Sequence, residues 1–262
     1  MSDESRVVES VAIDHHHQVV DVFEAYYQVE DRFTTAFNYG RHKIDVMIDE
    51  QLKKLAPGSK VLDAGCGTGH YVERFRDQGF DAWGVEPADG MREAAQRRNP
   101  PDRILNGVIT SLPFPDASFD MVIAIEVFRY LSWEDNERGF AEMMRVLKPG
   151  GVAFGTFVNR FSTDGFYVWQ RARQLVRGQK YDSKHPHCEF TTPRELEKAF
   201  RKAGASRVET AGRLSASLRL VYRASPTLAA SLTRKIERYD DLACQIPLTK
   251  PFRGHLMTIA YK

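Results

Sequence analysis

Apolar residues recur along this chain in two textures, and the change between them falls near residue 60. From Val19 to Leu55 the spacing is helical: Val22, Tyr26, Val29 and Phe33, then Ile44, Ile48, Leu52 and Leu55, with Pro57-Gly58 stopping the run. Residues 1–18 are polar, which predicts a frayed tail and places the triplet His15, His16 and His17 in solvent. From Lys60 short apolar runs alternate with amphipathic stretches. Val61–Ala64 predicts a strand ending in Gly65-Cys66-Gly67-Thr68-Gly69, and His70–Gln78 a helix closed by Gly79. Asp81–Glu86 predicts a strand, and Ala88–Arg98 a helix closed by Asn99-Pro100-Pro101. Arg103–Asn106 and the apolar run Met121–Ile125 predict two more strands. Glu134–Leu147 predicts a helix with Phe140, Met143, Met144 and Leu147 on one face; Pro149-Gly150-Gly151 then turns into the strand Val152–Val158.

Strand and helix alternate at this spacing over about 100 residues, which predicts a parallel sheet covered on both faces. Beyond Asn159 the alternation breaks, and residues 160–190 are rich in aromatics and arginines. Thr192–Ala203 predicts a helix with Thr191 or Thr192 as N-cap, Pro193 in the first turn and Gly204 after the end. Ser206–Thr210 predicts a strand, residues 215–243 helix broken near Pro226, and His255–Tyr261 a final strand.

Composition narrows the function classes. The chain has 262 residues, 42% hydrophobic and 27% charged, with a net charge of +2. That is ordinary for a globular protein and excludes global disorder. The near-neutral balance argues against a nucleic-acid binder that works through bulk charge. Three cysteines exclude a disulfide framework and suit a reducing compartment, and Cys188 and Cys244 lack metal-ligand spacing. The longest apolar stretch, Met121–Phe128, is interrupted by Glu126 and is far short of a membrane helix. Met1–Ser10 is polar and acidic, unlike a secretory signal, so a soluble cytoplasmic protein is expected.

The strongest local signal is the glycine loop after the first strand. Glycines there let the main chain pass close to a ligand, at the strand end where open parallel sheets bind. Glu86 ends the next strand, and a carboxylate there can accept two hydrogen bonds from ribose hydroxyls. The spacing fits a nucleoside ligand without naming it.

Val61–Gly69 resembles the first motif of class I S-adenosylmethionine-dependent methyltransferases, in the small-molecule branch labelled methyltransferase type 11 or UbiE-like. Gly84-Val85-Glu86-Pro87 with Met91, Leu112–Asp120 and Arg145–Gly151 resemble three further motifs of that family, in family order. The resemblance implies a Rossmann-like, mostly parallel, seven-stranded α/β sheet with helices on both faces and helical lid elements at front and back. It implies a tail and helical cap over 1–55, a cofactor-binding core over 56–159, and acceptor-side lid segments with the last strands over 160–262, all in one structural domain.

By the same resemblance, Gly65, Cys66, Gly67 and Gly69 contact the methionine part of S-adenosylmethionine and Asp63 holds its amino group. Glu86 holds the ribose hydroxyls, and Pro87 and Met91 pack on the adenine. Val108 and Ile109 flank the adenine edge, and Glu126 borders the cofactor. Tyr39 or Arg41 reaches the cofactor carboxylate from the front helical segment, where Tyr26 and Tyr27 also lie. Cys66 reads as a small filler.

Two positions depart from the family pattern. An acidic residue usually stands where Val108 is, and a histidine where Arg129 is. Arginine stays protonated and is no base, but it can bind an anionic acceptor group. His185 and His187, in Lys184–Glu189, are the candidates for a general base, and Phe161, Phe166, Tyr167 and Trp169 for an apolar acceptor wall. Arg171, Arg173, Arg177 and Lys180, and a second cluster from Arg213 to Arg238, suggest peripheral contact with a membrane or anionic lipid.

The expected activity is methyl transfer to a small or lipid-like acceptor, at oxygen by preference, with S-adenosylhomocysteine as product and no nucleic-acid partner. The protein is expected to be a monomer or homodimer. The rivals are an RNA methyltransferase, an inactive cofactor-binding regulatory subunit, and a dinucleotide oxidoreductase. The last requires G-x-G-x-x-G, whereas Gly65–Gly69 gives G-x-G-x-G.

Overall fold

Val61 and Leu62 are neighbours in the first strand and are both fully buried, on opposite sides of one sheet. That double burial is why the strand reads as a continuous apolar run instead of an alternating one. The computed structural model describes residues 3–29, 31–162, 166–177, 186–213, 219–246 and 252–262. Three helices precede the sheet: α1 (Asp3–Gln18), α2 (Val20–Tyr27) and α3 (Ala36–Leu52). Then follow β1 (Lys60–Ala64), α4 (His70–Asp77), β2 (Asp81–Val85), α5 (Asp89–Arg98), β3 (Ile104–Leu105), β4 (Phe119–Ala124), α6 (Trp133–Val146) and β5 (Leu147–Val158). The back section holds α7 (Phe166–Arg177), α8 (Pro193–Lys202), β6 (Arg207–Arg213), α9 (Arg219–Ala224), α10 (Pro226–Gln245) and β7 (His255–Tyr261).

The seven strands are ordered β3-β2-β1-β4-β5-β7-β6. All pairings from β3 to β5 are parallel, and β7 runs antiparallel to both β5 and β6. This is the expected mostly parallel, Rossmann-like sheet. One face buries Leu62, Val122, Phe140 and Phe200 against α6 and α8, with the Phe140 and Phe200 rings stacked at 4.3 Å. The other face buries Ile48, Val61, Phe75 and Phe154 against α3 and α4. Among the described residues no helix is long and apolar enough to cross a membrane.

Three sequence expectations are corrected. The polar stretch 1–18 is not a frayed tail. It forms α1, because Ser5, Val8 and Ala12 make one buried stripe at three- and four-residue spacing. His16 continues that stripe, so the histidine triplet is not wholly in solvent: the His16 ring packs edge-on to Tyr130 at 4.7 Å. The helical texture from Val19 to Leu55 follows expectation and resolves into two helices, α2 and α3. Thr35 starts α3 as a true N-cap, its hydroxyl accepting from Asn38 N at 3.0 Å. The turn expected at Pro149-Gly150-Gly151 lies inside β5, which runs unbroken from Leu147 with a register irregularity against β4 between Phe119 and Met121. The start of α8 follows expectation, with a capping box between Thr192 and Glu195 and Pro193 in its first turn.

The front and back helices are joined by charge. Lys43 of α3, only 5% exposed, reaches Glu237 at 3.2 Å and Asp241 at 2.8 Å on α10.

Candidate active site

β1 ends at Ala64, and the chain must then turn sharply to start α4 at His70. Gly65, Gly67 and Gly69 make the turn with φ of +86°, +52° and +80°. A Cβ at Gly65 would drive into the Val127 side chain, so only glycine fits there. The turn is pinned by Gly65 N and Cys66 N, which both donate to the Val85 carbonyl, at 2.8 and 3.0 Å. Gly67 N donates to Glu86 Oε2 and Ala88 N to Glu86 Oε1, each at 2.9 Å. Each Glu86 oxygen therefore keeps acceptor capacity for a ligand.

The loop opens onto a cavity of about 430 Å³. Asp63, Gly65, Cys66, Gly67, Glu86, Pro87, Met91, Val108 and Ile109 line one part of it. Asp63 is 2% exposed, and its Oδ1 has no hydrogen-bond partner. Burial, and then the neighbouring Glu86 charge, push the Asp63 carboxyl up to about 8. Burial lifts Glu86 to about 7 against the two main-chain donors and Arg92. Burial, with the same two carboxylates nearby, also pushes the Cys66 thiol up, which suits a filler and not a nucleophile.

Gly69 does not reach the cavity wall. A Cβ there would meet Asn99 and Ala95, and its carbonyl accepts from Asn99 Nδ2 at 3.1 Å, so it sets how closely α4 and α5 approach.

Tyr39 and Arg41 of α3 also line the cavity. The Tyr39 hydroxyl points to Asp240 Oδ2 at 3.4 Å. Arg41 lies over the Tyr27 ring at 4.7 Å, and its buried Nη1 has no partner. An unpaired buried carboxylate oxygen, an open-sided carboxylate and an unpaired guanidinium N–H thus face one space. They fit a ligand carrying an ammonium group, a vicinal diol and a carboxylate, which S-adenosylmethionine has.

Another part of the wall is built on Glu126, two residues beyond the end of β4 at Ala124, with φ +59°. Left-handed backbone at a non-glycine residue costs free energy and is kept where the surroundings dictate it. Here three hydrogen bonds and one close contact do so. Glu126 N donates to Thr156 Oγ1 at 2.7 Å, and that hydroxyl donates back to Glu126 Oε1 at 3.1 Å. Arg129 Nη1 donates to Oε2 at 2.9 Å, and His255 Nε2 lies 2.7 Å from Oε1. Burial alone would raise the Glu126 pKa, but His255 and Arg129 hold the carboxyl far below the ordinary range.

The rest of this wall is apolar and aromatic: Ile13, Phe23, Phe37, Tyr130, Leu131 and Tyr222. His16 joins it with Nδ1 2.7 Å from the Ala12 carbonyl, and burial lowers its pKa to about 4, so the ring is neutral.

The aromatic wall expected from residues 161–169 is therefore supplied by Phe23 and Phe37 of the front helices together with Tyr130 and Tyr222. Phe161 and Trp169 are more than half exposed, and Tyr167 packs on Phe190; the Phe166 side chain lies outside the described residues. His187 is not on the cavity wall and instead holds Glu189 at 2.9 Å. His185 lies outside the described residues. Tyr26 stacks on Phe37 at 4.6 Å, and Tyr27, on the wall, stacks on His70 at 3.9 Å.

His255, His16 and Tyr222 were not legible as site residues. For His16 the four-residue step from Val8 and Ala12 was the available signal. His255 sits in a strand buried at every position but the last, where nothing distinguishes it.

Strand order, glycine turn and acidic second-strand residue together resemble those of class I, S-adenosylmethionine-dependent methyltransferase domains. Residues 62–155 match the methyltransferase domain family. A malonyl-[acyl-carrier protein] O-methyltransferase of Serratia marcescens is 38% identical over 96 residues, covering 37% of each protein. A demethylmenaquinone methyltransferase of Renibacterium salmoninarum is 39% identical over 95 residues, 36% of this chain and 39% of that one. These alignments take in less than half of each relative's length. A Thermotoga maritima structure described as a possible histamine N-methyltransferase matches across 95% of this chain and 98% of its own, with TM-score 0.59 and 20% identity, which is a likeness of fold.

Proposed function

We propose that this protein transfers the methyl group of S-adenosylmethionine to an oxygen atom of a small or lipid-like acceptor. The observation that carries the reading is Asp63 Oδ1: buried, on the cavity wall and without a protein partner. A buried carboxylate oxygen left unpaired is costly, and a ligand ammonium group removes the cost. In this reading Asp63 holds the amino group, Glu86 the ribose hydroxyls, and Arg41 the carboxylate. Tyr39 is the weaker carboxylate candidate because its hydroxyl already points to Asp240. Pro87 and Met91 pack on the adenine beside Ile109, and Val108 offers it no side-chain acceptor.

The donor supplies an electrophilic methyl already attached to a good leaving group. What remains for the chain is to place the acceptor atom in line and keep water out. Helices α1, α2 and α3 serve the second task, since Ala12, Phe23 and Phe37 roof the same cavity. Oxygen as the acceptor atom is supported by the O-methyltransferases among the relatives.

Calorimetric titration with S-adenosylhomocysteine tests the donor half. Micromolar binding is expected, lost in Asp63→Ala; binding of NAD and not of S-adenosylhomocysteine would refute it. Release of S-adenosylhomocysteine on a panel of carboxylic acids, phenols and amines tests the acceptor atom, and turnover confined to amines would refute oxygen.

A further inference from the structure

Two arginines line the cavity with unpartnered N–H groups, and they approach from different elements. Arg41 comes from α3, on the side of Asp63 and Tyr27. Arg129 comes from the turn after β4, beside Glu126. S-adenosylmethionine has one carboxylate. If Arg41 takes it, the open edge of Arg129 is left for a second anion.

The pairing of Arg129 is one-sided. Its Nη1 is bonded to Glu126 Oε2 at 2.9 Å. The opposite edge, made by Nε and Nη2, has little. Nε is buried with no partner, and Nη2 has the Cys188 sulfur at 3.8 Å, a weak acceptor. That edge is the geometry that takes a planar carboxylate through two parallel hydrogen bonds. Glu126 cannot serve it, because its two oxygens are already shared among Arg129, His255 and Thr156. The cavity that Arg129 lines is elsewhere largely apolar, with Ile13, Phe23, Phe37 and Leu131, and His16 stays neutral on it.

We propose that the methyl acceptor is an apolar organic acid whose carboxylate is bound by the Nε–Nη2 edge of Arg129. This rests on the methyltransferase reading above and adds the chemical class of the acceptor. Arg129 is then a substrate-binding residue, and Glu126 a positioning residue that fixes which edge of the guanidinium stays open.

The test begins with the full chain saturated with S-adenosylhomocysteine. Failure of that first binding step sinks the methyltransferase reading itself. On the saturated protein, octanoate, octanamide and octyl phosphate are titrated by calorimetry. Octanoate is expected to bind at least tenfold more tightly than octanamide, and more tightly than octyl phosphate. Arg129→Gln is expected to abolish the preference for octanoate over octanamide and to leave S-adenosylhomocysteine affinity within about threefold. Three results would overturn the proposal: equal binding of acid and amide to the unaltered protein, tighter binding of octyl phosphate, or a loss of S-adenosylhomocysteine affinity in Arg129→Gln as large as that of octanoate. The comparison of ligands on the unaltered chain keeps the outcome decisive if the variant does not fold.

Discussion

His255 Nε2 lies 2.7 Å from Glu126 Oε1, so the first residue of the last strand meets the residue that leaves the fourth. The contact becomes an ion pair when the imidazole is protonated, and it shares the carboxylate with Arg129. Glu126→Gln should therefore weaken two strands' worth of attachment at once. We expect a loss of about 1–3 kcal/mol, from hydrogen bonds to a charged group that is partly exposed. Because the folded carboxyl titrates below its usual range, the unaltered protein holds this increment above about pH 4.5. The increment is lost as pH falls further. Urea unfolding at pH 7 and pH 3 should show the difference between the two proteins shrinking in acid.

Asp63 reverses that sign. Its carboxyl is raised to about 8, well above the ordinary aspartate value. A raised acid is favourable to the ligand-free fold while protonated, and the benefit fades as pH rises from about 4 to about 8. Thermal unfolding of the ligand-free protein should fall by several degrees across that window, and Asp63→Asn should flatten the fall. A positively charged donor needs the ionised form. Titration with S-adenosylmethionine at pH 6.5 should therefore release a proton, seen as a dependence of the measured heat on the buffer.

Gly65→Ala should be far worse than a single methyl group suggests. The position has φ +86° and its Cβ would enter Val127. Overpacking of about 1–3 kcal/mol is expected, read by chemical denaturation. Displacement of the loop should also lower S-adenosylhomocysteine affinity at least tenfold.

Val108 offers a gain instead of a loss. It lines the cavity but has no side-chain acceptor for an adenine amino group, and its carbonyl is already taken by Ser111 N at 3.1 Å. Val108→Asp should tighten S-adenosylhomocysteine binding by about 1 kcal/mol, or roughly fivefold, as one added hydrogen bond would. Unchanged affinity on titration would mean that adenine does not lie against this position.

Lys43→Met tests the joint between front and back. The ammonium group is nearly buried between Asp241 and Glu237, the latter also bonded to Arg32 at 3.1 Å, and both carboxylates lose the Lys43 contact in the variant. Removing one side of a buried pair costs about 3–5 kcal/mol, and clearly less here because Glu237 keeps Arg32 and Asp241 is 40% exposed. Faster hydrogen exchange in α10 than in the sheet would show the loss to be local. Thr233 of α10 is on the cavity wall, so S-adenosylhomocysteine affinity should fall with it.

What was legible in the sequence follows the range of the interactions. The glycine turn, Glu86 and the alternation of strands and helices rest on local backbone requirements, and local patterns reveal those. The sheet's last two strands were legible as His255–Tyr261 and Ser206–Thr210. Their order was not, because nothing in either run states which neighbour it pairs with. The second wall of the site was hidden for a related reason. Arg129, His255 and His16 come from three distant segments, and only tertiary packing brings them to one cavity. Polarity misled over residues 1–18, where a narrow stripe of Ser5, Val8 and Ala12 sufficed to dock a helix that is otherwise charged. The aromatics of 160–190 misled in the opposite way, since apolar side chains also occur singly on surfaces.

The strand order also bears on synthesis. β6 precedes β7 in the chain, yet it touches the sheet only through β7, with Arg207–Arg213 paired to His255–Tyr261 in seven-residue register. A nascent chain that has emerged as far as Arg213 therefore has five strands able to assemble and a sixth with nowhere to bind. β5 meanwhile presents an open edge, the kind of edge that pairs with other chains. The two strands must close on each other across a long connection, either before or as they join that edge, and contacts so far apart form slowly. His255 arrives with the same strand. The His255 contact of the cavity's polar wall can thus form only after the glycine loop has been made.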